Sequence, residues 1–280
     1  MWSVSPPAIS IKETAQACAR GTSDGTLAKR LLAARPSLES NNLAFRGSIA
    51  SHEMHLIEES DYSVPGVSAA EIKWMYTNHF ARLGHPARKL YEKLIGAAPE
   101  GLCCYCQYGQ AKTLDHFVPQ NHAGTLSIDP WNLVPACEQC NHKLQAKWGT
   151  TAADQMLHPY DMPALGRWLR GIVASHDPIE IAFSIDPLAL HETELQDRMV
   201  NEFDSLGLAA MYAVVSAGDI SIARRYLIRN YKAADDDESV RAHLLEAAGD
   251  AFAVDENSRR GVVLEALAQS AWFCAGGYGS

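Results

Sequence analysis

The chain has 280 residues, of which 47% are apolar and 20% charged. That is enough for one large domain or two modest ones around a real core, and no window is an uninterrupted apolar stretch of membrane-spanning length. The net charge of -9 does not by itself suggest a nucleic-acid binder, and Met1–Pro7 lacks the basic start and apolar block of a secretory signal. The expectation is a cytoplasmic protein with no membrane association.

The charge is unevenly spread. Residues 1–71 carry 6 basic against 8 acidic side chains, residues 72–170 carry 10 against 7, and residues 171–280 carry 8 against 18. Only the middle third is positive, which permits phosphate binding there without requiring it. The acidic last third is a poor surface for DNA and fits a docking or restraining role.

Residues 8–34 read as helical, with apolar positions at mixed three- and four-residue spacing. Residues 37–42 (Ser-Leu-Glu-Ser-Asn-Asn) and 63–66 read as loops. Ser68 and Glu71 form a capping-box pattern opening a helix over Ala69–Leu83, which Gly84-His85-Pro86 stops. A second helix over Ala87–Gly96 presents Leu90, Tyr91, Leu94 and Ile95 on one stripe, with Arg88, Lys89 and Lys93 outside it. Thr113–Val118 and Asn132–Pro135 are short β-type runs, and a helix is expected from Glu138 to Trp148, ended by Gly149. Residues 179–187 alternate as a strand does. From Glu192 onward the chain reads as helical, with boundaries at Ala217-Gly218-Asp219 and between Gly249 and Asn257. The acidic run Asp235–Glu238 reads as a solvated loop or helix start.

Five of the seven cysteines lie within 38 residues. In a reducing compartment such clustering points to metal. Cys103/Cys106 and Cys137/Cys140 are two C-x2-C pairs. Each makes a knuckle presenting two thiolates, and four thiolates complete a closed tetrahedral zinc site with Zn–S distances of roughly 2.3 Å. A closed site leaves no position for water, so this Zn²⁺ is structural. Cys104 could replace Cys103, though C-x-C makes a poorer knuckle. Between the pairs lies Thr113–Gln120 (Thr-Leu-Asp-His-Phe-Val-Pro-Gln), where a carboxylate adjoins an imidazole that titrates near neutrality. Asn132 follows in the second β run, and Asn141 comes directly after the last cysteine, rotated by about 100° from it on the helix.

Asp115-His116, Asn132–Cys137 (Asn-Leu-Val-Pro-Ala-Cys) and Cys140-Asn141 together resemble the three motifs of the HNH, or ββα-metal, endonucleases with a zinc ribbon. The resemblance covers about residues 101–160, a fifth of the chain. It extends to bacterial HNH proteins with a helical leader and a Leu-His-Pro-Tyr segment, matched here by Leu157–Tyr160. It implies an α+β, mostly helical chain: an N-terminal helical region (1–98), a ββα-metal nuclease core with structural zinc (99–165) and a C-terminal acidic, mainly helical region (166–280). It implies a phosphodiester hydrolase acting on DNA. His116 would be the general base. Asp115 and Asn141 would hold Mg²⁺ or Mn²⁺. Asn132 would orient the imidazole through its backbone carbonyl and fix the loop between the strands. Related proteins are nuclease subunits of anti-phage systems, such as those resembling Septu, where the partner is an ATPase.

Two departures stand out. The third motif position is Asn141 where His is common, which favours Mg²⁺. Leu144 occupies a position where the family often has Lys, which leaves Lys143 and Lys147 as candidate phosphate contacts. There is also a geometric tension: neighbours on a regular strand face opposite ways, so Asp115 and His116 can serve one phosphate only where the strand ends or bends. Of the remaining histidines, His122 reads as an exposed loop residue, His142 as facing solvent or nucleic acid, and His158 as packed beside Pro159. The competing reading is a non-catalytic zinc module that binds nucleic acid or protein.

Overall fold

The structure is a computed structural model; it describes residues 3–145, 147–186, 193–231 and 237–279. Expectations touching Ala146, Pro187, Glu192, Asp235 and Asp236 fall outside these. The chain is mostly helical with two small sheets, and it forms two compact units, residues 1–163 and 164–280.

The first unit opens with α1 (Ile11–Gly21), α2 (Gly25–Ala33) and α3 (Arg35–Ala50). Ser10 and Glu13 make a reciprocal capping box at the start of α1. Helix α3 runs straight through residues 37–42, contrary to the loop expected there. Its buried face is Leu38, Phe45 and Ile49, a helical spacing that outweighs the loop-like composition. The two asparagines find tertiary partners: Asn41 Nδ2 donates to the Tyr62 carbonyl at 2.8 Å, and Asn42 Nδ2 donates to both Asp129 carboxylate oxygens at 2.8 and 3.1 Å.

Helix α4 (Ala69–Met75) carries the anticipated Ser68/Glu71 box and passes into a π-helical turn over Tyr76–Phe80. Helix α5 (Arg88–Ile95) follows. Arg88, on its outer side, lies over the Tyr91 ring at 3.9 Å and bonds the Ala81 carbonyl. It therefore braces the helix entry and does not point into open solvent.

Strands β1 (Thr113–His116) and β2 (Leu133–Ala136) form an antiparallel hairpin in which Asp115 pairs with Val134 and His116 with Leu133. Helix α6 (Glu138–Leu144) packs on β1. The Tyr91 hydroxyl accepts the Leu114 N–H at 3.2 Å, so α5 backs the hairpin. Tyr160, from the Leu-His-Pro-Tyr segment, donates to the Leu133 carbonyl at 2.6 Å and fastens the start of β2.

Helix α6 ends at Leu144, earlier than the expected Trp148. Trp148 instead lies against the His122 ring, centroids 4.8 Å apart. At Gly149 a Cβ would sit 2.5 Å from the Asp154 carbonyl oxygen. Packing of this loop on itself stops the helix.

In the second unit, strands β3 (Leu169–His176) and β4 (Ile179–Ile185) pair antiparallel. They pack against α8 (Leu208–Asn230) and α10 (Arg259–Gln269). Helices α7 (Thr193–Leu206), α9 (Asp237–Val254) and α11 (Ala271–Cys274) complete this unit among the described residues. Helix α8 runs unbroken through Ala217-Gly218-Asp219, where a boundary was expected. Tyr212, Ser216, Ile220, Ala223 and Leu227 keep one buried face across that point, and Gly218 has open space beside it. Helix α9 ends at Val254, within the boundary expected between Gly249 and Asn257. No single helix among the described residues is long and apolar enough to cross a membrane.

Candidate metal and active site

The four cysteines of the two C-x2-C pairs converge. Their sulfurs lie within 4.8 Å of one another, and all four residues are buried. The first knuckle is shaped by its backbone: Cys103 N–H donates to the Gly109 carbonyl at 2.8 Å, and Gln107, at φ 58°, donates back to the Cys103 carbonyl. The second opens α6, where Cys137 is the N-cap and its Sγ accepts the Cys140 N–H at 3.4 Å. Gly109 is the hinge between them. A Cβ there would come 2.7 Å from Cys137 Cβ and 2.9 Å from its Sγ, and its N–H donates to Cys106 Sγ.

Packed this closely, the thiols cannot titrate independently. Contact with Cys103 and the other sulfurs draws Cys106 far below the ordinary thiol range, while the same contacts drive Cys103 and Cys140 up. Four sulfurs converging in a buried setting suit a divalent cation, and a set of four cysteines fits zinc. Cys104 lies outside the quartet and is buried, its N–H on the Pro135 carbonyl. Cys18 sits in the helical core, its thiol pushed up to about 12 by burial. Cys274 donates to helix carbonyls of α10. None of these three is a ligand.

Asp115 lies beside the first knuckle. It is 4% exposed, and its Oδ2 accepts the Tyr105 hydroxyl at 2.8 Å. Burial raises its carboxyl to about 7, against the pull of that hydrogen bond. No ion pair to Asp115 exists among the described residues. A buried carboxylate without a cationic partner is a fit for a bound metal ion.

Asn141 faces the same side of the hairpin. Its Nδ2 donates to Thr113 Oγ1 at 3.0 Å and to the Leu114 carbonyl at 3.3 Å. A carbonyl only accepts, so the amide nitrogen must face β1 and Oδ1 is the atom left for a ligand. Thr113 and Asp115 share one face of the strand, and the Asn141 amide is bonded to the first of them.

His116 ends β1 and turns the other way. Its Nε2–H donates to the Ser127 carbonyl at 3.0 Å, with the Gln120 amide 3.1 Å from the same nitrogen. Its ring meets Tyr76, from the π-turn, edge-on at 4.4 Å. Desolvation depresses the imidazole to about 4. The Ser127 carbonyl can only accept, so that bond calls for Nε2–H and leaves Nδ1 to accept, whereas the Gln120 NH2 beside Nε2 would donate to the other tautomer. Strand β1 ends at His116, which is where it would have to stop for Asp115 and His116 to serve one phosphate.

Asn132 is fully buried and ties the loop between the strands. Its Oδ1 accepts Val118 N–H at 2.7 Å, and its Nδ2 donates to the Val118 and Leu126 carbonyls at 3.1 and 3.3 Å. The expectation that its backbone carbonyl orients the imidazole is corrected. That carbonyl accepts Phe117 N–H at 3.0 Å, and the Ser127 carbonyl holds His116. Asn132 therefore bears on His116 only through the loop it fastens.

Lys143 lies half-buried on α6, and Lys147 is exposed beyond the helix end. His122 is not a free loop residue: its Nε2–H donates to the Ile57 carbonyl at 2.7 Å. His142 is exposed. His158 packs among Phe45, Phe117 and Tyr160 and is 2% exposed. Sequence reasoning missed Tyr105, Ser127, Gln120 and Tyr76. Only Tyr105 carried a local signal, being a large aromatic placed between two cysteines of a knuckle.

Residues 103–147 match the family model described as HNH endonuclease, so the chain carries an HNH endonuclease domain over the segment that holds both clusters. The chain is also 28% identical over 206 residues to Protein ea31 of Escherichia phage lambda, an alignment covering 69% of each. No solved structure matches it.

Proposed function

We propose that this chain is a divalent-metal-dependent endonuclease that hydrolyses phosphodiester bonds in DNA. What supports the reading is a buried Asp115 carboxylate with no ion pair among the described residues, an Asn141 amide whose nitrogen is bonded to β1 so that its oxygen is the ligand atom, and His116 directly after Asp115 at the end of the strand. A purely structural zinc module needs none of these three.

Asp115 and Asn141 would hold Mg²⁺ or Mn²⁺. When bound, that ion supplies charge neutralisation at the scissile phosphate and at the leaving 3′-oxygen. Two protein oxygens leave most of the shell to water and phosphate, as Mg²⁺ prefers. His116 would take the proton of the attacking water at Nδ1, since the Ser127 carbonyl occupies Nε2–H. Its depressed basicity keeps it neutral, and so able to accept, throughout the physiological range. Asn132 holds the Phe117–Leu126 loop, so the carbonyl of Ser127 stays at Nε2 of His116. The cysteine quartet, with zinc bound, would join the start of the hairpin to α6 and so keep Asn141 against β1. Lys143 and Lys147 are the proposed contacts to neighbouring phosphates.

A role as effector of an anti-phage system, with an ATPase as partner, belongs to the same proposal and rests on the motif resemblance alone. The test is direct. Purified protein should nick supercoiled plasmid with Mg²⁺ or Mn²⁺ and not without them. Equal cutting by metal-free protein would overturn the single-metal reading, and binding without turnover would favour the non-catalytic zinc module. Parallel incubations with linear DNA, single-stranded DNA and RNA identify the substrate, and co-purification identifies a partner.

A further inference from the structure

Tyr105 stands between Cys104 and Cys106 in the first knuckle, and it is 1% exposed. Its hydroxyl reaches across to Asp115 Oδ2 at 2.8 Å, a contact buried at both ends. Two sites with different chemistry are thus joined by one side chain. Cys106 flanks Tyr105 within the closed sulfur quartet, and Asp115 is the acid of the open site.

We infer that Tyr105 is a positioning residue that couples the zinc knuckle to the catalytic metal ligand. This rests on the nuclease reading above. A carboxylate on a short side chain can rotate about its last torsion, which is broad. A hydrogen bond fixed on Oδ2 restrains that rotation and leaves Oδ1 as the oxygen that Tyr105 does not hold. The donor is neutral, so it orients the carboxylate without neutralising it, and the full negative charge remains for the cation. An Arg or Lys at this place would compete with the metal for that charge. The ring is itself held by the knuckle backbone: Cys104 N–H bonds the Pro135 carbonyl on β2, and Gln107 N–H bonds the Cys103 carbonyl. The position of the hydroxyl is therefore set by the same loop that builds the zinc site. Partners of this kind, one bond removed from a metal, commonly change metal affinity by roughly 10–100-fold when lost.

The test uses the full-length zinc-loaded protein. Tyr105→Phe removes one oxygen and keeps the ring. Zinc content is measured by atomic spectroscopy, and Mn²⁺ affinity by titration calorimetry in the absence of nucleic acid. Tyr105→Phe should keep its zinc and bind Mn²⁺ about 10-fold more weakly, and cleavage at saturating Mn²⁺ should fall far less than at low Mn²⁺. Unchanged Mn²⁺ affinity in Tyr105→Phe would overturn the inference. So would loss of zinc or of folding in that variant, since the hydroxyl would then serve to build the knuckle. Failure of the nuclease reading itself looks different: Asp115→Asn alone would then leave Mn²⁺ binding intact.

Discussion

Replacing Asp115 by Asn should stabilise the protein while abolishing its catalytic metal site. The magnitude follows from the carboxyl's environment. Its value rises from 3.8 to about 7 on burial, and each unit is worth about 1.4 kcal/mol, so ionised Asp115 costs the metal-free native state up to about 4 kcal/mol at pH 7. Asn removes that charge but leaves part of its amide unpaired, returning about 1–3 kcal/mol. The net gain is about 2 kcal/mol, or roughly 4–8 °C in melting temperature for a unit of this size. The sign is set by the direction of the shift. The native value lies above the unfolded one, so native protein holds the extra proton between them, and wild-type stability attributable to this group falls as pH rises from about 4 to about 7. The gap between variant and wild type should therefore shrink as the pH is lowered through that window. The assay is calorimetric melting of zinc-loaded protein in Mg²⁺-free buffer, at pH 7.5 and pH 4.5. Mg²⁺ should raise the wild-type melting temperature and leave the variant unchanged. A variant that melts below wild type at pH 7.5 without Mg²⁺ would refute the reasoning, because the carboxylate would then have a partner worth keeping.

Other perturbations have equally definite outcomes. Asn132→Ala leaves the Val118 N–H and two carbonyls without partners in a buried loop, so urea unfolding should show a loss of about 2–4 kcal/mol; a change under 0.5 kcal/mol would show that the loop does not depend on it. Gly109→Ala drives a methyl into Cys137 and should lower zinc content after competition with a chelator, whereas undiminished retention would mean the knuckle gives way freely. Cys104→Ser should keep one zinc per chain and Cys106→Ser should lose it, as the sulfur quartet requires; equal retention in both would place the metal elsewhere.

The parts of this structure that were legible in the sequence are those set by short spacing. The two C-x2-C pairs, the Asp115-His116 dipeptide, Asn132 and Asn141 announce themselves within a few residues, because a knuckle or a hairpin end is local geometry. The Ser68/Glu71 cap was readable for the same reason. What escaped depends on distant partners. Helix α3 crosses a loop-like hexapeptide because Leu38, Phe45 and Ile49 bury together. Strand β3 was missed because Gly171 weakens its pattern, yet the glycine is there for close approach: a Cβ would lie 2.8 Å from Val262. Ser127 supports the base through a backbone carbonyl, which no side-chain type can signal. Helix α6 ends early because Trp148 finds His122 across the loop. In each case packing of elements far apart in sequence decides against local composition.

In the proposed mechanism His116 is the base of a metal-dependent phosphodiesterase whose zinc is only structural. Cleavage of supercoiled plasmid by His116→Ala, measured beside its zinc content, tests this most directly. The expected result is one zinc per chain as in wild type, an unchanged melting temperature to within a few degrees, and a rate lower by about 10²–10⁴ at saturating Mg²⁺. Wild-type cleavage by that variant would contradict the claim.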